Sequence, residues 1–265
     1  MNSKIKIMGV LNITDNSFYD GGKFIELSKS ITHVKQIIND GADIIDIGAE
    51  SSKPGSDPVT SVDQIKKIEP LVEAVREISD IPISIDTRSS EVIKKLLKYN
   101  INIVNDISSL EDFELIGIIK DNNLSVSLMH MQGTPKVMQN NPTYNNVVED
   151  IFTYLKSKAE LCLSHGINKD KIIIDPGFGF GKTLEHNYII LNNLKKFSNL
   201  GFNILSGISR KSMIGDILNV PPSDRLYGTI AASVIAIKNQ TNILRVHDVR
   251  ETSILLNFRD LIKNS

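Results

Sequence analysis

Short apolar runs rich in isoleucine and valine alternate along the chain with longer stretches in which apolar residues recur every three or four positions. The short runs are typical of buried strands, and the longer stretches are typical of amphipathic helices that pack on a sheet. The predicted strands are residues 5–12, 43–50, 82–87, 101–107, 125–131, 171–177, 202–210 and 242–248. This alternation predicts repeated strand–helix units and a parallel sheet.

The stretch 61–80 shows the helical period most clearly. Its apolar residues fall on one stripe, which consists of Val62, Ile65, Ile68, Leu71, Val72, Val75 and Ile78. Ser61 and Gln64 are spaced as a capping box, which predicts that this serine caps the helix. Pro70 predicts a kink within it.

Eight strands with about as many helices in 265 residues are the inventory of a (β/α)₈ TIM barrel. No linker, low-complexity tract or repeat divides the chain, so we expect a single domain over residues 1–265. An open, doubly wound α/β sheet is the alternative. In a TIM barrel the active site lies at the C-terminal ends of the strands. Those ends are therefore where the chemistry is to be sought.

Composition narrows the class of partner. The chain is 41% hydrophobic with a net charge of −1, so it can bury a full core but has no overall field that attracts nucleic acid or an anionic membrane. Its single cysteine, Cys162, excludes an intrachain disulfide and favours a reducing compartment. The sequence contains no signal-peptide pattern and no run near the roughly 18 apolar residues of a membrane span. We expect a cytoplasmic protein.

Every predicted strand ends in a group that can form hydrogen bonds or carry charge. In chain order these are Asn12, Asp46 with Glu50, Asp86, Asn105 with Asp106, His130, Asp175, Ser209 with Arg210 and Lys211, and Arg245 with His247. A single aspartate or asparagine at a strand end is more often a turn former or helix cap than a ligand. Eight such ends together favour a polar site at the barrel mouth.

Two kinds of chemistry are represented. Short donors and acceptors that suit a planar heterocycle are Asp86, Asn105 and Asp175. Groups that suit an anion such as phosphate are Lys53, Lys211, Arg245 and His247. Asn12 and Asp20 could add oxygen ligands for a magnesium ion that bridges to substrate phosphates, although the DGG that contains this aspartate is first of all a turn.

The stretch DPGFGFGKT at 175–183 has the look of a phosphate-binding loop. A P-loop requires glycine where Pro176 stands, and the three glycines are spaced as GxGxG instead of the GxGxxG of dinucleotide sites. We interpret the stretch as a flexible loop over the mouth. Phe18 and Phe180 lie in such loops and suit contacts with a planar ring.

Other catalytic patterns are absent or incomplete. No HExxH or paired CxxC occurs, and Ser209 lacks the closing glycine of a nucleophile elbow. We expect His130 to pack behind the site, and His33, His165 and His186 to lie at the surface.

The segments GVLNITDNSFYDGG, GADIIDIGAESSKPG, SIDT, VNDI, LMHMQGTPKVMQ, DPGFGFGKT, SRKSMIG and RVHDV occur in that order. Together they resemble the dihydropteroate synthase family of pterin-binding enzymes over essentially the whole chain. The resemblance implies condensation of 6-hydroxymethyl-7,8-dihydropterin diphosphate with p-aminobenzoate, which gives 7,8-dihydropteroate and pyrophosphate. It also implies Mg²⁺ as cofactor, a homodimer and competition by sulfonamides.

The resemblance assigns roles by position. The pterin would be held by Asp86, Asn105, Ile107, Met129, Asp175 and Lys211. The diphosphate would be held by Asn12, Ser52, Lys53, Arg245 and His247. The p-aminobenzoate would be surrounded by Phe18, Pro54, Phe180, Ser209 and Arg210. The metal would lie beside Asn12 and Asp20, and catalysis would depend on Asp20, Asp86, Asp175 and Lys211.

The chain departs from the usual pattern of the family at a few positions. Asp15 and Asn16 stand where members usually have proline and aspartate, Ala49 replaces a glycine, and Ser52 replaces a threonine while keeping its hydroxyl. Lys53 replaces an arginine, so a planar fork becomes a point charge. We expect these changes to alter loop ordering and substrate affinity but not the reaction.

Three other functions would use similar strand ends. One is a methyltransferase acting on methyltetrahydrofolate, one is a barrel that binds pterin without turnover, and one is a barrel enzyme for sugar phosphates. A methyltransferase would not need SRKSMIG together with SSKPG. A barrel without turnover would have no reason to keep Lys211, Arg245 and His247, which suit a charged leaving group. The third does not explain three strand ends suited to a heterocycle.

Overall fold

Eight parallel strands close into a barrel in the order of the chain, with β8 paired to β1. The structure is a computed structural model that describes residues 4–13, 23–50 and 55–263. Its strands are β1 (Lys6–Asn12), β2 (Ile44–Gly48), β3 (Ile83–Asp86), β4 (Ile103–Asp106), β5 (Ser125–Met129), β6 (Ile172–Asp175), β7 (Asn203–Ser206) and β8 (Ile243–Val246). The predicted TIM barrel is confirmed, and the open sheet is wrong.

Helices follow the strands around the outside of the barrel. They are α1 (Lys23–Asn39), α2 (Ser61–Ile78), α3 (Ser90–Leu96), α4 (Glu114–Asp121), α5 (Val147–Ser164), α6 (Leu184–Asn192), α7 (Ser212–Leu218), α8 (Leu226–Lys238) and α9 (Val249–Lys263). Within the described residues, no helix is both long enough and apolar enough to cross a bilayer.

The alternation of side chains along each strand separates two cores. Inward-facing apolar residues form a small cluster inside the barrel, which consists of Met8, Ile44, Ile103, Ile173, Leu205 and Ile243. Residues of the opposite parity, such as Ile45 and Ile83, join the larger core between barrel and helices. Two positions after four of the inner residues come Asp46, Asn105, Asp175 and Arg245. Because strands repeat every two residues, these polar side chains also point inward, toward the C-terminal end.

The start of α2 differs from the prediction. Thr60, not Ser61, is the N-cap, and its hydroxyl accepts a hydrogen bond from the Asp63 backbone N–H. Gln64 is buried and does not turn back to the cap. Its amide donates to the Val59 carbonyl, and its oxygen accepts from the Thr87 hydroxyl at 2.7 Å. The predicted capping box is therefore wrong, because the glutamine is used to attach α2 to the end of β3.

The stripe of α2 is narrower than predicted. Ile68, Leu71 and Val75 are buried, whereas Val62 is 57% exposed and Ile78 is 41% exposed. These two residues lie near the ends of the helix and outside the core. The helix continues through Pro70.

Candidate active site

Arg245 joins two acidic residues at the mouth of the barrel. Its Nε donates to Asp46 at 2.6 Å, and its Nη2 donates to Asp86 at 2.7 Å. Asp46 is completely buried and also accepts from the Ser84 hydroxyl at 2.6 Å and from the Asn105 amide at 3.3 Å. One network thus connects strands β2, β3, β4 and β8.

Burial controls the protonation of Asp86. Desolvation raises the pKa of Asp86 to about 7, because the charged carboxylate loses water. Arg245 opposes this rise, whereas the nearby negative charges of Asp46, Glu50 and Asp106 add to it. The carboxyl group can therefore gain or lose a proton near neutral pH.

Asp175 and Lys211 form the opposite side of the mouth. Asp175 is 6% exposed, and one of its oxygens accepts from the Gly177 backbone N–H at 2.7 Å. Burial raises the pKa of Asp175, and the positive charge of Lys211 is the strongest opposing influence. Burial lowers the pKa of Lys211 to about 8, although Asp175 favours its charged form. The two side chains therefore stabilise each other's charge.

An apolar wall stands beside these charges. Ile107, Met129, Met138 and Phe180 form a separate buried cluster. Met129 is the register partner of Asp175 across β5 and β6, which places the cluster next to that carboxylate. The ammonium of Lys211 lies 4.5 Å from the centre of the Phe180 ring, within the range of a cation–π contact. A flat ligand can pack on this wall while its polar edge meets Asp175.

Ser209 and His247 meet at the rim. The Ser209 hydroxyl lies 3.0 Å from His247 Nδ1 and also accepts from the backbone N–H of the same histidine. Desolvation, reinforced by the charge of Arg245, lowers the pKa of His247 to about 4, although the residue is exposed to solvent. Without a bound anion the imidazole is therefore neutral at physiological pH, and it can offer a hydrogen bond to an anion that arrives.

The side chain of Arg210 is held within the protein. Its guanidinium forms an ion pair with Asp248 at 2.7 Å and donates to the carbonyls of Pro222 and Ser223. Its backbone is left-handed, with φ 56°. These contacts give the residue a structural part in the rim, and its predicted contact with p-aminobenzoate stays a prediction.

His130 lies behind the apolar wall, as expected from the sequence. It is 7% exposed and stacks edge-on against Tyr154, with ring centres 5.0 Å apart. Burial lowers the pKa of His130 to about 3, so it carries no charge at neutral pH. His33 and His165 are exposed, and the half-buried His186 closes a capping box with Thr183 at the start of α6.

Several predicted positions lie outside the described residues. They are Asp15, Asn16, Phe18, Asp20, Ser52, Lys53 and Pro54. Asn12 is described and stands exposed at the end of β1, paired in register with Gly48 of β2. Among the described residues, no three histidine, cysteine, aspartate or glutamate side chains gather to hold a metal ion.

Two buried residues at or next to the site, Asp46 and Lys182, had no role predicted from the sequence. Asp46 was visible as the one acidic residue in the strand IIDIG, and its inward parity follows from the same alternation as that of Asp86. In the sequence, Lys182 belongs to the stretch DPGFGFGKT, which does not fit the nucleotide-binding patterns. In the structure it is 3% exposed. No sequence signal distinguished this buried lysine from a surface one.

Comparison with known proteins agrees with this geometry. The profile of a family described as pterin binding enzyme matches residues 8–247. The chain therefore belongs to the pterin-binding enzyme family. A dihydropteroate synthase from Haemophilus influenzae is 43% identical over 251 residues, which cover 95% of this chain and 91% of the relative. Within the family, the chain thus belongs with the dihydropteroate synthases.

Solved structures have the same barrel. Dihydropteroate synthase from Yersinia pestis, crystallised with a sulfonamide drug complex, has a TM-score of 0.93 and 38% identity, covering 100% of this chain and 96% of its own. The enzyme from Xanthomonas albilineans with 4-aminobenzoic acid has a TM-score of 0.92 and 31% identity, covering 99% and 94%.

Proposed function

We propose that the protein condenses 6-hydroxymethyl-7,8-dihydropterin diphosphate with p-aminobenzoate to give 7,8-dihydropteroate and pyrophosphate. The observation that carries this proposal is the convergence of Asp86, Asn105 and Asp175 beside an apolar wall and the half-buried ammonium of Lys211. Acidic and amide groups on one side with apolar atoms on another match a flat ring that has hydrogen-bonding edges. The relatives named above support the same reaction.

The pterin lies in the inner part of this site. Asp175 and Asp86 accept hydrogen bonds from ring N–H groups, and Asn105 can both donate and accept. Ile107 and Met129 cover a face of the ring from their buried cluster. Lys211, which already donates to the Phe178 carbonyl, supplies positive charge beside the ring.

The diphosphate lies at the outer rim near Asn12, Arg245 and His247, with Ser52 and Lys53 as further candidates. A Mg²⁺ ion held mainly by the substrate would need only one or two protein oxygens, and Asn12 could supply one of them. Asp20 is the second proposed ligand. When bound, Mg²⁺ neutralises charge on the departing pyrophosphate. Arg245 is a further proposed contact of the diphosphate, although it shares its charge with Asp46 and Asp86.

The p-aminobenzoate lies toward Ser209 and Phe180, with Phe18, Pro54 and Arg210 as further proposed contacts. Ser209 is 5% exposed and Phe180 is 8% exposed, so both are largely ordered by packing before a ligand arrives. We propose ordered binding, with the diphosphate substrate bound before the amine.

The reaction breaks the C–O bond between the pterin CH₂ and the diphosphate, whose electrons leave with pyrophosphate. The amine nitrogen forms the new C–N bond and releases a proton. Because ring nitrogens can delocalise positive charge from the CH₂ group, the carboxylates of Asp86 and Asp175 stabilise a cation-like transition state. An arylamine is a weak nucleophile, so holding it next to the carbon contributes several kcal/mol, on the order of that for other oriented reactants.

A homodimer formed by the late helices completes the proposal. In α8, Thr229, Ala232 and Ala236 are buried against the protein, whereas Tyr227 is 84% exposed and Val234 is 46% exposed. Other exposed apolar residues on the neighbouring helices are Ile217, Ile254, Phe258 and Leu261. We assign a second copy of the chain to this face, because an apolar surface of several helices is typical of a subunit interface.

We also propose that residues 1–265 form one pterin-binding domain that works in the cytoplasm. The buried free thiol of Cys162 in α5 is compatible with a reducing compartment.

The direct test is a coupled assay for pyrophosphate on mixing both substrates, with Mg²⁺ and with EDTA. Pyrophosphate release that needs both substrates and the metal supports the proposal, and sulfonamide should compete with p-aminobenzoate. Pterin binding without release would instead indicate a non-catalytic barrel. Methyl transfer from methyltetrahydrofolate would overturn the proposed reaction.

A further inference from the structure

Lys182 is a buried lysine next to the site, and the proposed reaction gives it no role. Its Nζ donates to the Phe180 carbonyl at 2.9 Å and to the His130 carbonyl at 3.2 Å, and it lies 3.0 Å from His130 Nδ1. The residue is 3% exposed. The two carbonyls accept from this amine, and His130 Nδ1 is a third polar partner, so the buried nitrogen is well supplied with hydrogen bonds.

These acceptors belong to two segments that border the active site. His130 directly follows Met129 at the end of β5, and its backbone N–H donates to the Asp175 carbonyl at 3.0 Å. Phe180 belongs to the loop 176–181 that follows β6. Lys182 therefore connects the end of one strand to the loop that leaves the next.

The two segments are already in close contact. A Cβ atom on Gly177 would lie 2.0 Å from the His130 carbonyl oxygen, and one on Gly181 would lie 2.6 Å from the Gln132 carbonyl oxygen. The Tyr144 hydroxyl also donates to the Gly181 carbonyl at 2.6 Å. The loop thus has little freedom, unlike the flexible loop that the sequence predicted, and Lys182 lies within this packing.

We propose that Lys182 is a positioning residue, which acts through His130 and the Phe180 carbonyl to hold the loop 176–181 against β5. The ring of Phe180 is thereby kept beside Met129 and below the ammonium of Lys211. Lys182 does not need to touch substrate for this role. The proposal rests on the proposed function, because it assigns Phe180 to the amine substrate.

The electrostatics agree with a group that acts from behind the site. Burial lowers the pKa of Lys182 well below its usual value, whereas the negative charge of Asp175 raises it. In return, Lys182 favours the ionised form of Asp175, after the larger effect of Lys211 and the hydrogen bond from Gly177.

The test replaces Lys182 by methionine, which keeps the length of the side chain but removes its three donors. We expect the KM for p-aminobenzoate to rise by about tenfold, the size that loss of a buried charged hydrogen bond produces. We expect kcat, per correctly folded enzyme, to change less. Hydrogen exchange of the peptide that covers 177–181 should become faster.

Lys195→Met is the matched control, because that lysine is exposed. It should leave KM and hydrogen exchange unchanged. An unchanged KM in Lys182→Met, with only a lower Tm, would overturn the proposal, because a lysine that merely supports the core does not alter substrate contacts.

If Lys182→Met does not fold, His130→Phe provides the second variant. It removes the Nδ1 acceptor but keeps an aromatic ring against Tyr144 and Tyr154. We expect a smaller rise in the same KM, of about threefold, and an unchanged KM would contradict the proposal. If the wild-type protein releases no pyrophosphate, the proposed function fails. Hydrogen exchange at 177–181 in the Lys182→Met and His130→Phe variants then still tests whether these two residues hold the loop.

Discussion

The guanidinium of Arg245 lies 2.7 Å from the carboxylate of Asp86, and its Nε binds the fully buried Asp46. One cation from β8 therefore serves two acids from β2 and β3. This relationship places Arg245 beside an acid that is proposed to hold the pterin, in addition to its proposed contact with the diphosphate. A substitution of either Asp86 or Arg245 should consequently change the electrostatic surroundings of the other.

Removal of Arg245 should destabilise the fold. Arg245→Met leaves two buried carboxylates without their cation, and breaking such a buried pair costs roughly 3–5 kcal/mol. We expect the free energy of unfolding in urea to fall by an amount in that range. Arg250→Met, at an exposed position of α9, is the control and should change it by less than about 0.5 kcal/mol. Equal stability of the two variants would contradict the arrangement.

The reaction should depend on pH in a narrow window. Asp86, with its pKa raised to about 7, is ionised above that pH and loses its charge as the pH falls. Lys211, with its pKa lowered to about 8, is charged below that pH and loses its charge as the pH rises. Because both charged forms are needed, kcat/KM should follow a bell-shaped curve with its optimum between about 7 and about 8.

The variant Lys211→Arg tests the alkaline side of that curve. Arginine keeps its charge at every accessible pH, so the decline above the optimum should disappear even if the maximum is lower. His247 should contribute no change near neutral pH, since its pKa lies at about 4. A decline that persists in Lys211→Arg would assign it to another group.

Two glycines offer a matched pair for stability. Gly177 has φ +71°, and a Cβ atom there would meet the His130 carbonyl oxygen at 2.0 Å, so Gly177→Ala should cost several kcal/mol, on the order of other strained or overpacked sites. Gly117 lies within α4 with no atom near the place of a Cβ, and Gly117→Ala should stabilise by about 0.5–1 kcal/mol. Urea unfolding of both variants measures the difference. Similar effects at the two positions would show that the loop is not packed on β5 as described.

Arg210 and Asp248 should behave as one unit. If the guanidinium mainly holds the rim, Asp248→Asn should weaken stability and activity much as Arg210→Met does. The double variant should then be little worse than either single one, with a coupling energy of about 1–3 kcal/mol in urea unfolding. Additive effects, with a rise in the KM for p-aminobenzoate only in Arg210→Met, would instead indicate direct contact with the amine.

The sequence predicted the barrel because the short apolar runs of the strands are clearly distinct from the three-to-four-residue period of the helices. Apolar runs of strand length ended in polar residues, and the alternation of side chains then placed Asp86, Asn105 and Asp175 on the inner face. Closure of the sheet into a barrel was then enough to predict that these residues converge.

Other features depended on contacts between residues distant in the chain. Arg210 and Asp248 are 38 positions apart, and the left-handed backbone of the arginine is invisible in composition or periodicity. Lys182 and His130 are 52 positions apart. The cap of α2 differed for the same reason, because Gln64 found a tertiary partner in Thr87.

The central claim is that acids at the strand ends bind the pterin ring, and a fluorescence titration of the protein with 6-hydroxymethyl-7,8-dihydropterin diphosphate tests it most directly. We predict that Asp86→Asn and Asp175→Asn each weaken binding by about 10- to 100-fold, as expected for loss of a buried charged hydrogen bond. Glu111→Gln, at an exposed position after β4, should bind as the wild type does. Equal affinity of all four proteins would contradict the claim.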